Sequence, residues 1–334
     1  MKLGIIGTGK IVGEALEALR LLPQIACTAV FARPHSREKA EALAAAYGIA
    51  EVYTDYETLL QQADVDFVYI GIVNSAHYAY ARQAILAGKN VILEKPFTST
   101  EAEAVELAAL SRSHHVYLFE AVSFFFTPNF TALREALPRI GQLRLVQCNY
   151  SQYSSRYDAY LEKQAAAAFS PELSGGCLYD INIYNLNFVV GLFGVPQEVS
   201  YTANIGFNGI DTSGTAVLRY EDFVAVCTAA KDSASPGSII LQGEKGYIRV
   251  NGAPNELAEL ELCLAGGRVE TMRLNQYEHR MVHEFETIER LYTAGDWGAN
   301  EAGLQRSLQV MRTAERARHS AKISFPADAQ AGRV

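Results

Sequence analysis

The feature that most constrains this chain is a glycine pair set directly after its first apolar run. Residues 3–7 are apolar and end in glycine, and Gly7-Thr8-Gly9 then opens a helical pattern over residues 10–22. The alternation continues. Residues 26–33 read as a strand, and 36–46 as an alanine-rich helix capped by Ser36. Thr54-Asp55-Tyr56-Glu57 has the S/T-x-x-E form of a capping box and opens a short helix. The β-branched and aromatic run 65–72 is a buried strand, followed by a helix over 75–88 that stops at Gly88. Strand 91–93, helix 100–111 and strand 116–119 complete the series. Strand–helix units joined by short turns predict a parallel, doubly wound α/β sheet.

After residue 121 the rhythm changes. Strands are predicted over 143–150, 198–205, 215–220, 223–228, 238–242, 247–250, 260–264 and 269–274. Tight joints such as Glu221-Asp222 and Glu244-Lys245-Gly246 imply antiparallel pairing. Helices fall near 129–137, 177–192, 279–294 and 301–318, with 177–192 and 279–294 expected to cover one face of the second sheet. The second domain is therefore α+β with a large, mainly antiparallel sheet. At 334 residues the chain exceeds the ~250–300 at which a single core stops growing. The expected division is a dinucleotide-binding domain at 1–120 and a substrate-binding and oligomerisation domain at 121–334. A sheet of this size needs both faces covered, so the open face is expected to pair with a second subunit, giving a dimer or a dimer of dimers.

A net charge of −8 favours neither nucleic acid nor an anionic membrane as partner. The five cysteines are scattered and form no CxxC pair, which argues against disulfides and a zinc site and for a reducing cytoplasm. The apolar run at the N-terminus is too brief for a leader. His279 and His283 stand four apart without a third ligand, so they read as a solvated helix face, and no metal is expected.

Gly7 permits the tight turn. Gly9 lets a pyrophosphate approach the backbone of Thr8, Lys10 and Ile11, where a helix N-terminus offers free N–H groups. The third small position of the fingerprint holds Val12, with Gly13 next. Alone, the pair is a glycine turn of any α/β protein; its place after the very first strand points to a dinucleotide. An NAD-selecting acid would stand at the end of the second strand. That segment reads Phe31-Ala32-Arg33-Pro34-His35-Ser36-Arg37, with no acid before Glu38. Arg33 is then either a partner for a 2′-phosphate or a solvated strand-end charge, and NADP(H) is preferred with NAD(H) possible.

Two further motifs stand in order along the chain. The first runs from Asn74-Ser75-Ala76-His77 to Ala87-Gly88-Lys89-Asn90-Val91-Ile92-Leu93-Glu94-Lys95-Pro96. The second is Ser174-Gly175-Gly176-Cys177-Leu178-Tyr179-Asp180-Ile181-Asn182-Ile183-Tyr184. Together they resemble the Gfo/Idh/MocA oxidoreductases, and the resemblance spans nearly the whole chain. It implies Lys95 as the catalytic lysine, Asp180 as the carboxylate that orients substrate, and Asn74, His77, Glu94, Lys95 and Pro96 at the cofactor edge. Tyr184 stands where histidine is usual, which is similar to the subgroup of dihydrodiol dehydrogenase, xylose dehydrogenase and glucose–fructose oxidoreductase. There tyrosine takes the acid/base role, and Asn187 fits that subgroup's pattern. Val73, Ser174 and Asn182 depart from the family's proline and glycines, and Phe125 stands at the subgroup's arginine.

Spacing supports the second motif independently. On a helix over 177–192, Asp180, Tyr184 and Asn187 share one face. A nearby Lys95 ammonium would favour the phenolate of Tyr184; the other reading of Tyr184 is a buried structural ring. Arg156 and Tyr157, in the loop 152–160, read either as polyol contacts or as ordinary surface. The leading expectation is a dehydrogenase or reductase acting on a sugar, cyclic polyol or vicinal diol. The rival is a cofactor-binding regulator without turnover, and a third reading is a closed redox cycle between two sugars on tightly held cofactor.

Overall fold

The computed structural model describes residues 1–164 and 166–331. The chain divides into two compact units. Met1–Ala121 with His279–Gln305 form the first, and Val122–Glu278 with Arg306–Val334 the second.

The first unit begins β1 (Lys2–Ile6), α1 (Lys10–Leu19), β2 (Ala26–Phe31), α2 (Arg37–Tyr47), β3 (Glu51–Tyr53), α3 (Tyr56–Gln62) and β4 (Phe67–Ile70). It continues α4 (His77–Leu86), β5 (Asn90–Glu94), α5 (Glu101–His114) and β6 (Leu118–Ala121). All six strands are parallel, in the order β3-β2-β1-β4-β5-β6. Leu3, Ile5, Ile6, Phe67, Val68, Tyr69, Ile70, Val91, Ile92 and Leu93 are fully buried. A parallel sheet covered on both faces requires such unbroken apolar runs. Two cap expectations change. Thr54 does not open α3; the Asp55 carboxylate accepts from the Thr58 N–H at 2.7 Å and starts the helix one residue later than a Thr54 box would. Ser36 makes no side-chain cap, and a 3-10 turn at Pro34–Ser36 leads into α2 instead. The reciprocal capping box belongs to Thr100 and Glu103 at the start of α5.

The second unit contains α6 (Pro128–Ala136), β7 (Leu143–Ser151), α7 (Tyr157–Leu161) and a π-helical turn, Leu178–Asn182, that runs into α8 (Ile183–Phe193). Seven strands follow: β8 (Glu198–Ile205), β9 (Asp211–Arg219), β10 (Val224–Ala230), β11 (Ser238–Gly243), β12 (Gly246–Asn251), β13 (Leu260–Leu264) and β14 (Arg268–Met272). The eight strands lie in the order β14-β13-β12-β11-β7-β10-β9-β8. Every pair is antiparallel except β7 with β10. The period-2 pattern sorts the two faces. Val146, Cys148, Ala225, Cys227, Ala229, Ile239, Leu241, Ile248 and Val250 are buried, and α8 packs over β7 and β10. Leu145, Gln147, Val226 and Ile240 on the opposite face are half-buried or exposed.

Three helices follow β14: α9 (Val282–Thr293), α10 (Trp297–Ser320) and α11 (Asp328–Ala331). Helix α9 does not cover the second sheet as expected; it belongs to the first unit. Its Phe285 ring lies 5.6 Å from Tyr69, and its Tyr292 ring 5.0 Å from Phe67 and 5.7 Å from Tyr117. Trp297 adds a ring 5.2 Å from Tyr117, and Asn300 accepts from the Leu118 N–H at 2.8 Å. Aromatic side chains repeated along α9 need an apolar partner, and the β4–β6 edge supplies it.

Candidate active site

At the carboxyl end of β1, Gly7 adopts φ 117°, and a Cβ there would stand 2.4 Å from the Gly71 carbonyl oxygen. Only glycine fits, because the ends of β1 and β4 meet at this point. Gly9 is the N-cap of α1. The helix start carries no side-chain cap and no acidic residue in its first turn, and the space over Gly9 is open for 4 Å. Orphan N–H groups in open space, at the point where strand order reverses, suit a dinucleotide pyrophosphate. Thr8 and Ile11 are half-buried here, while Lys10 is exposed and 3.7 Å from Glu14. Arg33, just past β2, is exposed, with no hydrogen bond or ion pair for its guanidinium among the described residues.

The ends of β4 and β5 are tied together. Asn74 opens a 3-10 turn that ends at Ala76. His77 is wholly buried, with Nδ1 2.8 Å from the Pro96 carbonyl and Nε2 3.3 Å from that of Ile72. Burial lowers its pKa to about 4, so the ring is neutral and its single N–H serves the shorter contact, to Pro96. His77 thus braces the Lys95-Pro96 turn, whose peptide bond is cis. Glu94 is buried beside it. Its carboxylate accepts from the Tyr69 hydroxyl at 2.7 Å and from the Lys95 N–H at 3.2 Å. Burial raises its pKa, and the adjacent Lys95 ammonium opposes the rise. Lys95 itself is half-buried. Glu284, in the first turn of α9, is buried with no partner for Oε1; burial, reinforced by Glu94, pushes its carboxyl well above the usual range.

In the second unit the motif beginning at Ser174 starts a helix under tight control. Gly176 has φ 98°, and a Cβ there would fall 2.1 Å from Asp211 Oδ1. Ser174 takes the left-handed conformation, φ 54°, at a position where glycine is usual in the family. The buried Asp211 accepts from the Leu178 N–H at 2.6 Å and from the Tyr201 hydroxyl at 2.7 Å, capping the turn that carries Asp180. Asn182 donates to the Cys227 carbonyl at 3.0 Å, and Asn185 donates to the Thr228 carbonyl at 3.0 Å. Two asparagines therefore pin the start of α8 to β10, with Tyr184 between them. Tyr184 is 6% exposed, its ring 5.9 Å from that of Tyr150.

Asp180 lies within a π turn, and Tyr184 and Asn187 lie on the α-helix that follows it. The π turn over 178–182 shifts the register, because its hydrogen bonds span five residues instead of four. Asp180 is about one-third exposed, whereas Asn187 is fully buried and donates to the Ile183 carbonyl of its own helix at 3.0 Å. Asp180 meets a residue absent from the sequence expectations. Lys231, which follows β10 and is 2% exposed, forms an ion pair with the Asp180 carboxylate. Its ammonium also donates to the Ala168 carbonyl at 2.9 Å and sits 4.4 Å over the Phe169 ring. A lysine closing an otherwise apolar strand was the available signal. Arg156 is exposed, at the start of α7; Tyr157 packs against Tyr153, Tyr160 and Phe169. Phe125, at the subgroup's arginine position, stacks under Arg306 at 3.7 Å and against Phe124 and Phe130. His283 is buried instead of lying on a solvated face.

Comparison with known proteins agrees with this architecture. The description "Oxidoreductase family, NAD-binding Rossmann fold" matches residues 1–122, and "GFO/IDH/MocA C-terminal domain" matches residues 130–249. The chain is 34% identical over 328 residues to scyllo-inositol 2-dehydrogenase (NADP(+)) IolU of Bacillus subtilis (strain 168), covering 98% of this chain and 99% of that one. It is 30% identical over 255 residues to trans-1,2-dihydrobenzene-1,2-diol dehydrogenase of Xenopus tropicalis, covering 75% and 74%. Among solved structures, a 3-ketoreductase from Actinomadura kijaniata in complex with NADP and TDP-benzene shares the fold, with a TM-score of 0.83, 22% identity and coverage of 98% and 99%. The glycine turn, the Glu94-Lys95-Pro96 strand end, the mixed eight-stranded sheet and the end-to-end identity converge: the chain belongs to the Gfo/Idh/MocA family of NAD(P)-binding oxidoreductases.

Proposed function

We propose that this chain is an NADP(H)-preferring dehydrogenase that acts on a secondary alcohol of a cyclic polyol, sugar or vicinal diol. The observation that carries the reading is Tyr184, a buried phenol on a helix start pinned by Asn182 and Asn185, in a chain aligned end to end with an NADP-dependent inositol dehydrogenase. Unit 1 binds the dinucleotide through the α1 N-terminus, with Thr8, Lys10 and Ile11 at its rim and the 2′-phosphate against Arg33. Asn74, Glu94 and Pro96 border the nicotinamide end. A bound nicotinamide supplies or accepts the hydride at the carbinol carbon. Tyr184 gives or takes the hydroxyl proton through its phenolic oxygen. Lys95, at the end of β5, is the ammonium that offsets negative charge developing in the reaction. Asp180 accepts hydrogen bonds from a neighbouring hydroxyl, and Arg156, Tyr157 and Asn187 are its less direct supports.

No helix among the described residues is long and apolar enough to cross a membrane. We place the enzyme in the cytoplasm as a dimer or dimer of dimers, paired through the half-open sheet face that carries Val217 and Tyr247, 39% and 41% exposed. The test is the absorbance change at 340 nm with NADP or NADPH across inositols, aldoses, vicinal diols and their ketones. Turnover on at least one polyol is expected. Tight NADP(H) binding with no turnover on any of them would favour a regulator instead.

A further inference from the structure

Lys231 brings an ammonium into a cluster rich in carboxylates. Asp180, Asp211 and Asp232 lie close enough to act electrostatically on Cys177, as does Lys231. Two of the three carboxylates are already engaged. Asp211 caps the turn at Leu178 and holds Tyr201. Asp232 accepts from the Thr212 and Ser213 hydroxyls, each at 2.7 Å. The Lys231 side chain turns to the third, Asp180, and is nearly sealed from water while Asp180 keeps a third of its surface open. A buried ammonium is costly unless it is paired and hydrogen-bonded. Here the pair is completed by the Ala168 carbonyl and the Phe169 face, both on the segment that follows α7. The Lys231 N–H is itself held by the Thr212 carbonyl at 2.8 Å, so the root of the side chain is fixed by the sheet.

We infer that Lys231 is a positioning residue for the reaction: it aims the Asp180 carboxylate at a substrate hydroxyl and locks it in register with the 167–169 turn. This rests on the reading of Asp180 as a substrate ligand. Phe169 stacks on Tyr160, whose ring stacks in turn on Phe207. One side chain therefore joins a substrate-facing carboxylate to the aromatic wall beside it.

The test uses the full chain with NADP(H) and the best polyol from the panel. Lys231→Met is expected to raise KM about tenfold or more, the loss typical of a displaced charged hydrogen bond. kcat and cofactor affinity change little. Lys231→Arg restores most of the loss. Asp180→Asn is run in parallel. If Asp180→Asn raises KM while Lys231→Met leaves KM as in the parent, the positioning role is overturned and the Asp180 reading stands. If Asp180→Asn leaves KM unchanged, both fall. Should Lys231→Met fail to fold, the double variant with Asp180→Asn removes both charges. Its KM should equal that of Asp180→Asn alone, and a further independent rise would refute the inference.

Discussion

Replacing Tyr184 with phenylalanine separates chemistry from packing. The ring is 6% exposed and rests 5.9 Å from Tyr150, and Asn182 and Asn185 tie its helix to β10. Phenylalanine keeps the ring and loses one oxygen. The stability cost is that of about one hydrogen bond, ~1 kcal/mol, or a Tm shift of about 1–2 °C in a chain of this size. Alanine would remove the ring and cost about 3–5 kcal/mol, hiding any catalytic effect behind unfolding. A positioned acid/base contributes about 10²–10⁴ in rate, equal to about 3–5 kcal/mol of barrier. The expected result is a kcat lowered by that factor, with NADP(H) affinity by fluorescence titration and Tm near those of the parent. A kcat within about threefold of the parent, on a substrate the parent turns over, would refute the assignment and direct attention to Lys95 as the proton carrier.

Arg33→Ala should weaken NADP(H) about 10- to 100-fold, as expected for charge-assisted contacts, and leave NAD(H) unchanged; equal effects on both cofactors would contradict the 2′-phosphate role. Glu284 holds its proton in the folded state to a pH well above its unfolded value. The stability this gives is complete below the unfolded carboxyl pKa and is lost as pH rises towards the folded one. Glu284→Gln should therefore gain Tm on the parent between pH 5 and pH 8 in a thermal-shift assay, and parallel curves would refute this. Val217→Glu places a charge on the half-open face of the second sheet and should lower the mass measured by light scattering to that of one chain; an unchanged oligomer would move the interface elsewhere.

The parallel sheet was legible because burial on both faces writes itself as unbroken apolar runs, as in Phe67–Ile70. Strand β3 was not, being three residues long with only partial burial. The cap of α3 was misplaced by one residue because Thr54 and Asp55 are both cap formers, and the Asp55 carboxylate wins by reaching the Thr58 N–H. The face shared by Asp180, Tyr184 and Asn187 assumed a period of 3.6 throughout. No residue type marks a π turn, so the shift at 178–182 was hidden. Lys231 escaped because its partner lies 51 residues away, and only the sheet brings them together. The glycine turn was visible because its chemistry is local.

The late return of the chain to its first unit has a consequence for synthesis. Residues 1–121 bear Phe67, Tyr69 and Tyr117, whose ring partners are Phe285, Tyr292 and Trp297, and Arg112 waits for Glu301 at 2.9 Å. On a ribosome adding roughly 5–20 residues per second, the 184 residues between Ala121 and Gln305 occupy about 10–40 s. Throughout that interval the nascent sheet carries an aromatic edge without its cover. An N-terminal fragment ending near residue 121 would keep this edge permanently and so tend to aggregate, while a deletion confined to the inserted unit would leave every one of those ring contacts in the chain.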